Sequence, residues 1–194
     1  TAIETALDKD HWVVDARASA DFARMHVPGS INIPGSKNLP TYAGTVLTYD
    51  RPITIIAKTR DHAQSVIAQL ALIGMDNVAG FATLDVLQQI KGAGRRLASV
   101  RTIDAKGLSA KLEQHGSRVI DVRGTSEWKD GHLPNATHIY LGDLEQRVRS
   151  SNRDEAIVVH CETGTRASIA ASLLMARGFS DVTLLDNEGL IAER

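Results

Sequence analysis

The sequence contains a single cysteine, few aromatic residues and no long apolar run. One cysteine among 194 residues excludes an internal disulfide, and no secretory signal is evident, so we expect a cytoplasmic protein. No segment approaches the ~20 apolar residues that cross a bilayer, so no membrane association is predicted. Positive and negative residues are interspersed and leave a net charge of −1, which predicts no contact with nucleic acid.

The sequence instead contains an internal repeat. The segment Val13–Arg17 recurs as Val119–Arg123. At equal offsets each copy continues with an acid and an aromatic residue, then with a histidine and a proline. These pairs are Asp21-Phe22 and Glu127-Trp128, His26 and His132, and Pro28 and Pro134. Each copy, about 95 residues, is long enough for a modest core. The repeat predicts two domains, at residues 1–96 and 97–194, joined at the glycine- and charge-rich stretch 91–96.

Apolar runs alternate with helical patterns in both copies. Four short, β-branched runs are typical of parallel strands that are covered on both faces: Trp12–Asp15, Ile53–Ile56, Val119–Val122 and Ala156–His160. Apolar residues at helical spacing follow from Ala63 to Leu70 and from Ala167 to Leu174. We therefore predict the α/β class, with an open, mostly parallel sheet and helices on both faces in each domain. Ligands of such sheets bind beyond the carboxyl ends of the strands.

The lone cysteine occupies that edge. Cys161 follows the run 156–160 and opens the hexad 161–166, which contains Gly164 and ends at Arg166 just before a helical pattern. Unpaired N–H groups at the start of a helix, together with Arg166, favour a thiolate over a thiol. A small buried residue ending a strand is the alternative, but the backbone turn that Gly164 permits, the arginine and the helix together favour function. The prediction requires the sulfur to face an opening rather than to be sealed in hydrocarbon. Neither a paired H-x-x-x-H nor a C-x-x-C spacing is present, so we predict no metal and no cofactor.

Four motifs of the second copy resemble the signature of rhodanese domains. In chain order they are Asp121-Val122-Arg123, Glu127-Trp128, Gly131 to Ala136, and the hexad Cys161 to Arg166. The resemblance implies tandem rhodanese-like domains: an active second copy with the loop 161–166, and an inactive first copy in which 57–62 replaces the hexad. The aspartate, arginine and histidine motifs persist in a copy without a nucleophile, so we expect them to be structural.

A stretch of the first copy, from Asn32-Ile33-Pro34 through Thr41-Tyr42-Ala43-Gly44 to Tyr49–Ile53, resembles a particular tandem module. It is similar to the rhodanese module of fusions between a metallo-β-lactamase-fold persulfide dioxygenase and rhodanese domains. The resemblance implies a metallo-β-lactamase-fold domain or protein as a partner. The clustered metal ligands of that fold do not occur in this sequence, so any iron chemistry would lie elsewhere.

The predicted reaction is sulfur transfer through a persulfide on Cys161. The loop has the pattern C-x4-R, one residue shorter than the C-x5-R loops of phosphatases and arsenate reductases, and leaves less room for a tetrahedral oxyanion. The donor would be thiosulfate or a glutathione or protein persulfide, and a thiol or cyanide would be the acceptor. Arg166 would stabilise the thiolate or hold an anionic donor. Backbone N–H groups of the predicted substrate-binding residues would surround the outer sulfur; these residues are Glu162, Thr163, Gly164 and Thr165.

The sequence leaves one residue and two functions open. Glu162 stands where many rhodaneses have a basic or neutral residue, and it either repels thiosulfate or extends into solvent. A non-enzymatic docking or regulatory module, with Cys161 inert or redox-sensing, is one alternative function. A cysteine phosphatase or arsenate reductase is the other.

Overall fold

The computed structural model describes residues 1–186, except for the side chains at positions 114 and 115. The chain divides into two compact units, one from Thr1 to Ser99 and one that begins at Val100. The boundary predicted between positions 96 and 97 lies just before this division. Each unit is an α/β layer structure with its own parallel sheet.

The first unit contains a four-stranded sheet. Its helices are α1 (Ala2–Asp8), α2 (Ser19–Arg24), α3 (Leu39–Val46), α4 (Arg60–Ala71) and α5 (Asp85–Gly92). Its strands are β1 (Trp12–Asp15), β2 (Ile31–Asn32), β3 (Ile53–Ile56) and β4 (Val78–Ala82). The strands lie in the order β2-β1-β3-β4, and every pairing is parallel.

The second unit contains a five-stranded sheet in the described residues. Its strands are β5 (Arg101–Ile103), β6 (Arg118–Asp121), β7 (Thr137–His138), β8 (Ile157–His160) and β9 (Val182–Leu185). Its helices are α6 (Ala105–His115), α7 (Thr125–Asp130), α8 (Leu144–Arg147) and α9 (Thr165–Ala176), with a 3-10 turn at Leu141–Asp143. The strand order is β5-β9-β8-β6-β7, again wholly parallel. Within residues 1–186, no helix of either unit is long and apolar enough to span a bilayer.

The predicted strands form the centres of the two sheets. β1 and β3 have the predicted bounds, whereas β6 lies one residue earlier than predicted and β8 begins one residue later. Every residue of β1, β3 and β8 is buried, as expected for parallel strands covered by helices on both faces. β8 lies between β6 and β9, so its carboxyl end delivers Cys161 to the middle of the sheet edge.

Helix α9 is buried more completely than its sequence pattern indicates. The pattern predicted one apolar stripe, but the structure buries all eight residues from Ala167 to Leu174. The reason is that α9 packs against β8 and β9 and also contacts α8. Small residues such as Ser168 and Ser172 occupy the positions between the larger apolar ones. The helix that follows Cys161 is therefore held firmly against the sheet.

Candidate functional site

A buried aspartate–arginine pair is built in the same way in both units. In the first unit, Nε of Arg17 donates to both carboxylate oxygens of Asp15, at 2.9 and 3.1 Å. Arg123 donates to Asp121 with the same atoms, at 3.0 and 2.9 Å. In each case Nη2 also donates to a backbone carbonyl eight residues further on. The pairs therefore tie the end of β1 or β6 to the loop beyond the next helix, which confirms the structural role predicted from the repeat.

Each unit also stacks a histidine on an aromatic ring. The ring of His26 lies 3.9 Å from that of Phe22, and the ring of His132 lies 3.6 Å from that of Trp128. In both units Nδ1 of the histidine is 2.9 Å from the carbonyl oxygen of the same aromatic residue. A carbonyl can only accept, so Nδ1 carries the proton. Each histidine therefore packs against the end of its short helix, α2 or α7, which is a structural role.

The units differ where β3 and β8 end. In the first unit Ile56 lies opposite the aspartate of the buried pair, and in the second unit His160 lies opposite it. The next residue is Ala57 in the first unit and Cys161 in the second. Cys161 therefore follows a buried histidine, whereas the first unit has Ile56 at the equivalent position.

His160 joins the buried pair of the second unit. Its Nε2 lies 3.4 Å from Oδ2 of Asp121, and both side chains are buried. Burial alone would raise the pKa of Asp121, but hydrogen bonds from His160 and Arg123 outweigh it and hold the pKa well below its usual range. Asp121 thus stays ionised at neutral pH between two hydrogen-bond donors. The cluster fixes the end of β8 directly before Cys161.

The sulfur of Cys161 lies at the start of α9, as predicted. Its Sγ accepts a hydrogen bond from the backbone N–H of Ala167 at 3.3 Å. Ala167 belongs to the first turn of α9, where N–H groups have no partner within the helix. Gly164 adopts a left-handed conformation (φ 81°) immediately before the helix, which confirms the turn assigned to it. The backbone therefore curls over the sulfur.

Cys161 has no solvent-exposed surface in this structure. A nucleophile was expected to face an opening, and the structure covers it instead. The covering is not hydrocarbon alone, because a backbone N–H contacts the sulfur directly. Glu162 and Thr163, the next two residues, are exposed, and Gly164 and Thr165 are half-buried. The four predicted substrate-binding residues thus form the loop that follows the sulfur, of which Thr165 is also the first residue of α9.

Arg166 has a carboxylate partner that the sequence analysis did not assign. Its Nη1 and Nη2 donate to the two carboxylate oxygens of Glu127, at 2.5 and 2.7 Å. Hydrogen bonding from Arg166 lowers the pKa of Glu127 to about 2. Nη2 also lies 3.9 Å from Oε2 of Glu162, whose side chain is 64% exposed. The cation at the end of the hexad is therefore shared between two acids.

An ion pair between the short helix and the loop occurs in both units. In the first unit Asp21 of α2 binds Lys58 of the loop, with 3.0 Å between Oδ2 and Nζ. Asp21 stands at the same offset from the buried pair as Glu127 does in the second unit. That shared offset is the signal that could have identified Glu127 as the partner of a loop cation.

The loop of the first unit has a different backbone course. Helix α4 begins at Arg60, three residues after Ala57, whereas α9 begins four residues after Cys161. The hydroxyl of Thr59 accepts the N–H of His62 at 3.1 Å and so caps the helix. Directly before the helix, the first unit therefore has Thr59 as a side-chain N-cap, whereas the second unit has Gly164 in a left-handed turn.

The described residues contain no group of three or more His, Cys, Asp or Glu side chains that could hold a metal ion. His160, the neighbour of Cys161, instead contacts Asp121.

Comparison with known proteins decides the family. The model of the Rhodanese-like domain matches residues 2–83 and 104–188, which is most of both units. The chain belongs to the rhodanese family. The two matched regions correspond to the two copies of the repeat, so this is a tandem rhodanese.

Its relatives include sulfurtransferases. The chain is 32% identical over 75 residues to the thiosulfate sulfurtransferase GlpE of Pseudomonas fluorescens, which covers 39% of this chain and 69% of that protein. It is 30% identical over 86 residues to YrkF of Bacillus subtilis, whose name describes it as a candidate sulfur carrier protein; this covers 44% of the chain. The chain spans about half the length of YrkF, 46%. Among solved structures, a thiosulfate sulfurtransferase from Pseudomonas aeruginosa is 22% identical, with a TM-score of 0.43, over 95% of this chain and 41% of that one.

Proposed function

We propose that the second unit is a sulfurtransferase that carries a sulfane sulfur on Cys161. The contact between Sγ of Cys161 and the N–H of Ala167 is the observation that best supports this proposal. A sulfur at the first turn of a well-packed helix is placed where partial positive charge stabilises an anion. The first unit, which has Ala57 at the equivalent position, takes no direct part in the chemistry.

The proposed reaction has two steps. The thiolate of Cys161 attacks the outer sulfur of the donor, the donor S–S bond breaks, and its electron pair leaves with the remainder of the donor, which is sulfite when the donor is thiosulfate. A thiolate or cyanide then attacks the outer sulfur of the persulfide, and Cys161 departs as a thiolate. Because Sγ is covered in this structure, the proposed reaction requires the loop after Cys161 to open before the donor reaches the sulfur.

The direct test is to incubate the chain with thiosulfate without an acceptor. We expect release of about one equivalent of sulfite and a gain in protein mass of one sulfur atom, because a ping-pong enzyme stores the transferred group. Addition of cyanide should return the original mass and form thiocyanate. If neither thiosulfate nor glutathione persulfide changes the mass of the folded protein, the proposal is wrong.

The donor is proposed to be a glutathione or protein persulfide in preference to thiosulfate. The charges around the loop are Arg166, Glu127 and Glu162, which leave one net negative charge at its surface. Thiosulfate carries two negative charges, so its approach is opposed. An organic persulfide places its charged groups further from the reacting sulfur and is opposed less.

Glu162→Arg is therefore expected to raise kcat/KM for thiosulfate about tenfold at low salt, because reversing an exposed charge near a dianion changes its Coulomb energy by roughly 1–2 kcal/mol. The gain should shrink as salt is added. Turnover with glutathione persulfide should change by less than about threefold, since its charges lie further from position 162. Glu113→Arg, at an exposed site on α6, is the matched control for net charge. Equal gains with both donors would contradict this assignment of Glu162.

The complete burial of Cys161 favours a second candidate, a docking or regulatory module with an inert thiol. Iodoacetamide separates the two functions. For the sulfurtransferase we expect one alkylated site on the native chain, because a sulfur that attacks a donor also attacks iodoacetamide. An inert buried thiol would be alkylated only after urea unfolds the chain.

The proposed partner is a metallo-β-lactamase-fold domain or protein, and the proposed location is the cytoplasm. Support for the partner comes from the resemblance of residues 32–53 to the tandem module of persulfide dioxygenase fusions. The coding sequence next to this chain tests it, because a metallo-β-lactamase-type segment should adjoin. A purified complex lacking any such protein would oppose it.

A further inference from the structure

The first unit contains a basic cleft of about 380 Å³, away from its loop at 57–62. Four cationic side chains line it: Arg24, Lys91, Arg95 and Arg96. Three of them come from the glycine- and charge-rich stretch 91–96, which the sequence indicated only as a join. The balanced overall charge of the chain conceals this local concentration.

The backbone holds the cleft in a defined shape. Helix α5 ends at Gly92, and Gly94 (φ 74°) reverses the chain in a left-handed conformation. Ala98 then forms an antiparallel bridge with His26, with both N–H···O distances at 2.9 Å. Met25 and Leu97, two further lining residues, are partly buried and pack on the core of the unit. The floor of the cleft is therefore apolar and fixed, and its rim is cationic.

The acids nearby do not neutralise the rim. Glu4 binds Arg95, with Oε1 to Nε at 2.8 Å. Asp21 lies 3.9 Å from Arg24 but is closer to Lys58. For Lys91 and Arg96, whose side chains are exposed, there is no ion pair with any acid in residues 1–186.

Neither the dipole of helix α5 nor the fold shared by the two units explains the positive charge of the cleft. The end of α5 supplies only about half a negative charge, which two unpaired cations exceed. The shared framework does not require the basic residues either, because position 24 corresponds to Asp130 in the second unit, a charge reversal. An exposed cluster of like charges beside a fixed apolar floor is typical of an anion-binding site.

We propose that this cleft binds a small organic phosphate. Guanidinium groups match the geometry of phosphate oxygens, and Lys91 adds a point charge. The apolar part of the ligand lies against Met25 and Leu97. The volume is at the lower end of the range for small-molecule sites, which suits a compact ligand. This binding is independent of Cys161 and of sulfur transfer.

The test is calorimetric titration of the full chain at low salt with hexyl phosphate and with inorganic phosphate. We expect saturable 1:1 binding, about tenfold tighter for hexyl phosphate because two or more methylenes leave water. The double variant Lys91→Gln/Arg96→Gln should weaken binding at least tenfold. The double variant Arg101→Gln/Lys106→Gln removes two exposed cations of the second unit and should bind normally, as should Cys161→Ser. Backbone amide shifts should change at residues 24–25 and 95–99.

Three outcomes would overturn the proposal: no saturation with either probe, equal weakening in the two double variants, or amide shifts confined to residues 161–167. Equal affinity for inorganic and hexyl phosphate would refute the apolar part of the site. All four substituted cations are exposed, so both double variants should unfold at the wild-type temperature.

Discussion

Cys161→Ser is expected to abolish sulfur transfer, with kcat falling at least a thousandfold and no sulfur bound to the protein after exposure to thiosulfate or glutathione persulfide. The reason is that a serine hydroxyl is not ionised near neutral pH and forms no stable adduct with sulfane sulfur. The loss should be complete because the chain has no second cysteine that could substitute. Protein mass after donor treatment and the rate of thiocyanate formation are the measurements.

Ala57→Cys in the Cys161→Ser background is the matched control. It places a thiol at the equivalent position of the first unit, whose loop has Arg60 where the second unit has Gly164. We expect no recovery, since the turn that curls the backbone over the sulfur is missing and the helix starts one residue earlier. Recovery would show that the shared framework alone creates the activity. Residual activity in Cys161→Ser itself would refute the proposed nucleophile.

Local patterns in the sequence predicted the features that depend on neighbouring residues. The bounds of β1 and β3 follow from short, uninterrupted β-branched runs, and the repeat predicted the two units. The turn at Gly164 and the position of Cys161 at a helix start could both be predicted, because each depends on a few consecutive residues. Such local features can be predicted without knowing which other elements pack against them.

The features that were missed depend on long-range packing. Glu127 and Arg166 are 39 residues apart, and only the folded chain brings α7 beside the loop. The burial of α9 on several sides depends on α8, whose four residues have no strong helical pattern. The sulfur contact comes from Ala167, one residue beyond the predicted hexad. Which N–H group points at the sulfur depends on where the helix begins and how the loop folds, and residue types alone do not determine either. The cover over Cys161 likewise arises from the three-dimensional course of the loop.

Asp121→Asn is expected to destabilise the second unit by about 3–5 kcal/mol, the usual result of removing one partner from a buried ion pair. It leaves the Arg123 guanidinium, 2% exposed, without its counter-charge, and it weakens the contact with His160. The pKa of Asp121 is depressed in the folded state. Its stabilising effect is therefore complete above the ordinary aspartate pKa, near 3.8, and is lost as the pH falls through the depressed folded-state value. In the variant this acid-dependent part of the unfolding free energy should disappear.

Asp15→Asn is the matched substitution in the first unit, where an equally buried arginine pair lacks the histidine. Urea unfolding should show a comparable loss of stability, confined to the first unit. The two variants should differ in activity. Asp121→Asn releases His160 at the end of β8, directly before Cys161, and should slow sulfur uptake in the fraction that remains folded, whereas Asp15→Asn should leave sulfur uptake unchanged. If both variants lost less than about 1 kcal/mol, the buried pairs would not be the structural anchors inferred from the repeat. If Asp15→Asn slowed sulfur uptake as much as Asp121→Asn, the buried cluster beside Cys161 would have no special role in presenting the sulfur.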